Sequence, residues 1–381
     1  MLYPIAKNVL GLSLFIGIFF KKPKQTIETS LMKIRDLLPT FGFTCELLTN
    51  DEIDKLIVSL HRGILNQELD DFNLKHYRKQ LKSKSIIFIV NEFLNSLEFR
   101  QNHKNKLFVY PGHFYSPIVD TDEARVFLEK HSRQPLPYEL PGIKIDLQEM
   151  VNLWNRILPF LTKIPFPSEK TDNFRFYFGN GNYSYGDASI LHAMLLHFNP
   201  KNLIEVGSGF SSACTLDTLQ IISNNNCQIT FIEPYPELLN SLIGESIDNV
   251  RVLPVRIQDI PLDLFRELAD GDILFIDSTH ILRTGSDVCY ELFQILPSLA
   301  PGVIVHFHDI FWPFEYPFEW VVNDNRSWNE LYAIRAFLTE NDRFKIIFFN
   351  DYFNMQKKEL IDRTYPTFNL NPGGALWLQK V

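Results

Sequence analysis

The chain has 381 residues, 45% of them hydrophobic and 33 of them phenylalanine, which is enough apolar material for more than one folded unit and too much for a disordered protein. A net charge of −8 excludes a general nucleic-acid binder. The cysteines Cys45, Cys214, Cys227 and Cys289 show no metal-type spacing, which argues against a zinc or disulfide scaffold and fits a reducing, cytoplasmic setting.

Near the N-terminus, Val9 to Phe20 is an uncharged apolar run with Lys7 before it and Lys21, Lys22 and Lys24 after it. It is too short to cross ~30 Å of hydrocarbon as a helix, and no small-residue cleavage site follows. Two readings stand: a buried helix, or a peripheral membrane contact through residues 9–24. Residues 31–105 read as helical. Thr49-Asn-Asp-Glu52 has the form of a capping box opening a helix through Leu65, and Leu74–Lys84 and Ile86–Arg100 continue with helical spacing. The stretches Leu60–Leu65 and Asn91–Arg100 resemble a small bacterial helical domain of unknown function, carried by secreted and surface proteins and by glycan-related enzymes. That resemblance implies no catalytic residues.

From 106 to 170, prolines at 111, 117, 135, 137, 141, 159, 165 and 167 predict an extended connector with one helix near Leu147–Leu161. Its aromatic segment Tyr110–Pro117 is either a packed loop or a lid. From 171 onward strands and helices alternate. Strands are expected at Leu203–Val206, Gln228–Glu233, Val250–Val255, Asp272–Ile276, Gly302–Phe307, Phe344–Asn350 and Ala375–Gln379. Helices are expected after the first strand to about Ile222 and at Tyr235–Ile243, Gly285–Leu296 and Trp328–Thr339. This rhythm is that of a parallel α/β sheet with helices on both faces, whose ligands bind beyond the carboxyl ends of the strands. The domain expectation is therefore 1–30 apolar/basic segment, 31–105 helical domain, 106–170 connector or lid, and 171–381 α/β domain.

The first of these strands runs into Glu205-Val-Gly207-Ser208-Gly209, then into a helical pattern. Glycines there permit a sharp turn and close approach to a ligand, and the helix N-terminus offers free N–H groups. A dinucleotide fingerprint would place its third glycine where Ser212 stands. Glu205 suits a ligand carrying an ammonium or hydroxyl better than one carrying phosphates. Further polar residues fall at or just past the other strand ends: Glu233, Asp259, Asp277 and Asp309.

With Tyr183-Ser-Tyr-Gly-Asp187, Phe231-Ile-Glu-Pro234, Phe275-Ile-Asp-Ser-Thr-His280, His306-Phe-His-Asp-Ile310 and Gly374-Ala-Leu-Trp377 in order, residues 171–381 resemble a class I S-adenosylmethionine-dependent methyltransferase. The resemblance is to the bacterial family-24 type, distantly related to catechol-type O-methyltransferases. It implies a Rossmann-like seven-stranded sheet with an antiparallel last strand. It implies S-adenosyl-L-methionine as cofactor, held by Glu205, Gly207, Ser208 and Gly209 at the methionine end and by Glu233 at the ribose hydroxyls. Asp259 is expected near the adenine, and Tyr185 and Asp187 where relatives close over the cofactor. Helix-terminal acid and plain N-cap are the competing readings of Glu233 and Asp259.

Catechol-type relatives bind Mg²⁺ through acids at the ends of strands four and five. The resemblance thus implies a divalent ion, Mg²⁺ or Mn²⁺, on Asp277, Asp309 and His308. Relatives carry a lysine where this chain has His280, which is the expected base, titrating near 6.5 and acting with Asp277 and Asp309 on an acceptor hydroxyl. The clustering of His280, His306 and His308 with two aspartates counts against their being ordinary structural histidines. The aromatic segment Phe311–Trp320 is either a hydrophobic plug or a substrate wall. Arg326 and Glu330 lie just beyond.

The leading expectation is O-methylation of a small-molecule or glycan-linked hydroxyl. The competing ones are an NAD(P)-dependent oxidoreductase, disfavoured by Ser212 and Glu205, and a non-catalytic scaffold with a partner-binding helical domain. Relatives described as hydroxylases share the sheet and its acids.

Overall fold

A computed structural model describes residues 49–65, 69, 71–81, 89, 92–93, 108–109, 111–222, 226–244 and 247–381. The apolar run Val9–Phe20 lies outside them. The chain divides into two compact units, Met1–Asp120 and Thr121–Val381.

In the first unit, α1 (Asn50–Leu65) begins beside Thr49, as the capping sequence predicts, and α2 spans Asp71–Leu81. Ile53, Ile57 and His61 recur at helical spacing and are buried. Phe93 meets the rings of His61 and Tyr77 edge-on. The Arg78 guanidinium grips the Asp54 carboxylate through two nitrogens.

The second unit opens with α3 (Thr121–Ser132), which buries none of its residues, and α4 (Leu147–Leu161), where the sequence places a helix. Asp146 caps α4 by accepting from the Glu149 N–H at 2.9 Å. Met150, Leu153, Trp154, Ile157 and Leu161 form its buried stripe. Trp154 stacks near Phe348 and Phe353 and donates its indole N–H to Thr364 at 3.1 Å. The end of the proline-rich stretch is thus part of the α/β core.

Short helical turns aside, the elements that follow are α5 (Tyr185–Phe198), β1 (Asn202–Val206), α6 (Phe210–Ile221), β2 (Gln228–Ile232), α7 (Glu237–Ile243), β3 (Val250–Leu253), β4 (Ile273–Ile276), β5 (Ile304–Phe307), α8 (Glu330–Leu338), β6 (Phe344–Phe349), α9 (Asn350–Thr364) and β7 (Leu376–Lys380). Between β4 and β5, a helical turn at Asp287–Tyr290 continues as a π-helix over Glu291–Ile295. Helix α9 is unpredicted. Its buried Asn350, Tyr352, Phe353 and Ile361 follow no simple stripe, and it kinks at Lys357.

The seven strands form one sheet in the order β3-β2-β1-β4-β5-β7-β6, with β7 antiparallel to both neighbours. Central β4 and β5 are wholly buried, as near-continuous apolar runs in a parallel sheet should be. After β1 the chain moves outward to β2 and β3, then returns to lay β4 on the other side of β1. That reversal is a topological switch point and opens a crevice beyond the carboxyl ends of β1 and β4.

Candidate active site

The crevice is built by two strand ends pressed together. Gly207 donates to Ile232 O, and Asp277 N donates to Val206 O at 2.9 Å. Gly207 has φ +76°, and a Cβ there would lie 1.8 Å from the Asp277 carbonyl oxygen. The fold itself therefore demands glycine at 207. Gly209 is different. Its φ of 171° is extended, and an added Cβ would meet only Leu238, at 3.6 Å. Nothing in the protein excludes a side chain at 209, so the space beside it is free for a ligand.

Glu205 is fully buried. One carboxylate oxygen accepts the hydroxyls of Ser211 and Ser212 at 2.7 Å each; the other, Oε2, has no partner. Burial pushes this carboxyl up to about 8, against the pull of the two serines. Ser212, where a dinucleotide fingerprint would have glycine, also accepts from the Gly209 N–H at 3.1 Å and so ties the loop to the helix. That serine pair was not recognised in the sequence, where the only signal was the missing third glycine. Glu233 is half-buried at the end of β2. It accepts from Ser208 N at 3.2 Å, which ties it to the glycine loop, and from Tyr235 N at 2.8 Å in the turn before α7.

The sheet register sets a second row of groups. Phe275 pairs with Glu205 on one side and His306 on the other, and two residues later on the same face come Gly207, Asp277 and His308. Asp277, His308 and Asp309 each present one ligand atom within 4.8 Å of the others. His308 Nε2 lies 3.6 Å from Asp309 Oδ1. His280 stands against the same cluster, with Nε2 at 3.4 Å from Asp277 Oδ1 and 3.6 Å from Asp309 Oδ2. Its other nitrogen, Nδ1, is 2.8 Å from Glu330 Oε2. Both His280 and Asp309 have left-handed backbone, φ +61° and +59°. Such strain in non-glycine residues concentrates at functional sites.

Electrostatics correct one expectation. Burial pulls the His280 imidazole down, but its bonds to Asp277 and Glu330 outweigh burial and hold it up at about 11. Held up in this way, the imidazole favours its charged, hydrogen-donating form at neutral pH, which counts against the expected base titrating near 6.5. Burial would raise the Asp277 carboxyl, yet His308 and His280 bring it down to about 2. Asp309 is raised by burial despite His308. His308 is raised because Asp277, Asp309 and Asp187 outweigh its burial.

The remaining expected residues lie as follows. His306 is not part of the cluster: it is fully buried between the rings of Phe275 and Trp377, at 4.1 and 4.5 Å, and burial keeps it neutral. Asp187 is buried, accepts from Asn350 Nδ2 at 3.2 Å, and is pushed up by burial to about 7. Tyr185 stacks on Phe178 at 5.2 Å. Asp259 is exposed on the turn that follows β3, gripped by the Arg256 guanidinium at 3.1 Å. In the aromatic segment, Trp312, Phe314 and Tyr316 are a buried plug. Trp320 and Trp328 stay half-buried, with the Arg326 guanidinium over both rings, and Trp328 lies 4.3 Å from the His280 ring. The plug reading thus holds for Trp312, Phe314 and Tyr316.

Residues 204–310 match a family model described as a methyltransferase domain. An uncharacterized protein of Archaeoglobus fulgidus is 30% identical over 167 residues, which span 43% of this chain and 75% of that protein. Among solved structures, a methyltransferase from Geobacter sulfurreducens is 16% identical with a TM-score of 0.28, covering 70% of this chain and 98% of its own. CmcI in a form with Mg and SAM is 17% identical with a TM-score of 0.31, covering 66% of this chain and 99% of its own. The chain belongs to the class I S-adenosylmethionine-dependent methyltransferases.

The residues present fit that cofactor. The orphaned, buried Glu205 Oε2 offers an acceptor for an ammonium, Gly209 leaves room for close approach, and the α6 N-terminus begins at Phe210. The donor set of two carboxylates and one imidazole also fits a divalent ion. Among the described residues no helix is long and apolar enough to cross a membrane.

Proposed function

We propose that this enzyme methylates a hydroxyl oxygen on a small-molecule or glycan-linked acceptor. The observation that carries the reading is the convergence of Asp277, His280, His308 and Asp309 beside the glycine loop at the switch point. S-adenosylmethionine supplies an electrophilic methyl on a sulfonium. Glu205, Ser208, Gly209 and Glu233 hold the cofactor. Methyl transfer is an in-line displacement, so most of the protein's work is to place the oxygen and remove its proton.

The His280 imidazolium donates to the acceptor oxygen and fixes its position. In the metal-free version of the site, Asp309, raised by burial and 3.6 Å from His280, accepts the hydroxyl proton as the oxygen takes the methyl. The half-buried indole of Trp320, with Arg326 over one face and Trp328 edge-on to it, is the aromatic surface suited to pack on a sugar or aromatic ring of the acceptor. A divalent cation, Mg²⁺ or Mn²⁺, on Asp277, His308 and Asp309 would supply the positive charge that acidifies the hydroxyl.

The test is transfer of labelled methyl from S-adenosylmethionine to a panel of catechols and sugars, with and without chelator. Expected is label on oxygen, with Asp277→Asn and Asp309→Asn each at least about 10²-fold slower. Activity lost on chelation and restored by Mg²⁺ or Mn²⁺ supports the metal; indifference to chelator assigns the work to the side chains alone. Label on nitrogen or carbon, or full activity in both variants, overturns the proposal.

A further inference from the structure

Helix α8 approaches the site from a part of the chain that neither the glycine loop nor the strand-end acids account for. Its first residue, Glu330, is 1% exposed. Its carboxylate Oε2 lies 2.8 Å from His280 Nδ1, the shortest contact the His280 ring makes. The backbones are locked together as well: the N–H groups of Asn329 and Glu330 both donate to His280 O at 3.1 Å. The Asn329 side chain clamps the next turn, accepting from Leu282 N at 2.6 Å and donating to Leu282 O at 3.3 Å. Trp328 covers the imidazole ring at 4.3 Å. Three consecutive residues, Trp328, Asn329 and Glu330, thus act on the ring, the backbone and the ring nitrogen of a residue whose own backbone is left-handed.

Burying a carboxylate costs several kcal/mol unless it has a charged partner. Among the described residues the Glu330 side chain bonds His280 through Oε2, and its Oε1 is unpartnered. Helix packing does not require a glutamate at this position, whereas orienting an imidazole does: the bond made by one ring nitrogen fixes what the other can face.

We propose that Glu330 is a positioning residue for His280. It holds Nδ1–H so that the Nε2 edge is directed at Asp277 and Asp309, where the acceptor oxygen is to be placed. The proposal deepens the assignment of His280 given above and rests on it for its catalytic meaning, but the contact is testable without any acceptor.

The experiment is proton and nitrogen NMR of the histidine side chains in the full chain, with the His280 signals identified by their loss in His280→Gln. A carboxylate-bound Nδ1–H buried from solvent gives a far-downfield, slowly exchanging proton. That signal is expected in the wild type, unchanged in Asp277→Asn, moved upfield in Glu330→Gln, which keeps an oxygen acceptor but loses its charge, and absent in Glu330→Ala. S-adenosylhomocysteine affinity, measured by calorimetry on the same samples, should stay within twofold in both Glu330 variants.

Absence of the downfield proton from the wild type, or its persistence in Glu330→Ala, overturns the proposal. If Glu330→Ala does not fold, the wild-type signal and its upfield shift in Glu330→Gln decide the matter; an unshifted signal counts against Glu330. Failure of S-adenosylhomocysteine to bind the wild type while the signal behaves as expected would reject the cofactor reading and leave the Glu330–His280 contact standing.

Discussion

At the scale of single residues, the site is a balance of charge. Two aspartates and a glutamate converge on His280. This raises the imidazole above its ordinary 6.5, so the contribution to stability follows a definite sign. The interaction is fully present below pH 6.5 and is lost as pH rises toward about 11. The stability difference between wild type and His280→Gln should therefore be larger near pH 6 than on the alkaline side, where it shrinks, as read by urea melts across pH. A difference that instead grows between pH 6 and 9 would show that the carboxylates do not hold the proton. For the same reason activity should show no limb set by His280 near 6.5, contrary to what the sequence alone led us to expect. That error has a physical source: a pKa depends on neighbours, and Glu330, fifty positions along the chain, cannot be placed beside His280 by spacing.

At the scale of elements, the two glycines of the loop separate fold from function. Gly207→Ala sets a methyl against the backbone of β4's exit and forces a left-handed alanine, which should cost ~2–5 kcal/mol. Gly209→Ala has room and should change stability by less than about 1 kcal/mol while weakening S-adenosylhomocysteine binding. Thermal melts with and without ligand distinguish the two, and equal stability losses would refute the distinction. The strands and the glycine loop were legible because a buried parallel strand is a plain apolar run ending in a polar residue. Helix α4 was legible from its stripe, and its place in the core is checked by Trp154→Ala, expected to cost ~3–5 kcal/mol. Helix α9 was not legible, since its buried residues follow no regular period. Nor was the exclusion of His306: only the ring contacts with Phe275 and Trp377 show that it belongs to the core.

At the scale of the whole molecule, every residue assigned here to cofactor and acceptor lies in the second unit, Thr121–Val381. The sheet order explains why residues as distant as Glu205, Glu233, Asp277 and Asp309 meet: the reversal between β1 and β4 gathers four strand ends around one crevice. A chain beginning at Thr121 should therefore bind S-adenosylhomocysteine as the full chain does; a loss beyond tenfold would mean that the first unit contributes to the site. On the proposed assignment, this crevice binds S-adenosylmethionine at the glycine loop and Glu233, with the acids of β4 and β5 on the acceptor side. Titration calorimetry with S-adenosylhomocysteine tests it most directly. The expected result is saturable binding to wild type, nearly unchanged in Asp277→Asn and weakened by about 1–3 kcal/mol in Glu233→Ala, where ribose hydroxyls lose their acceptor. No binding to wild type, or equal binding to wild type and Glu233→Ala, would contradict it.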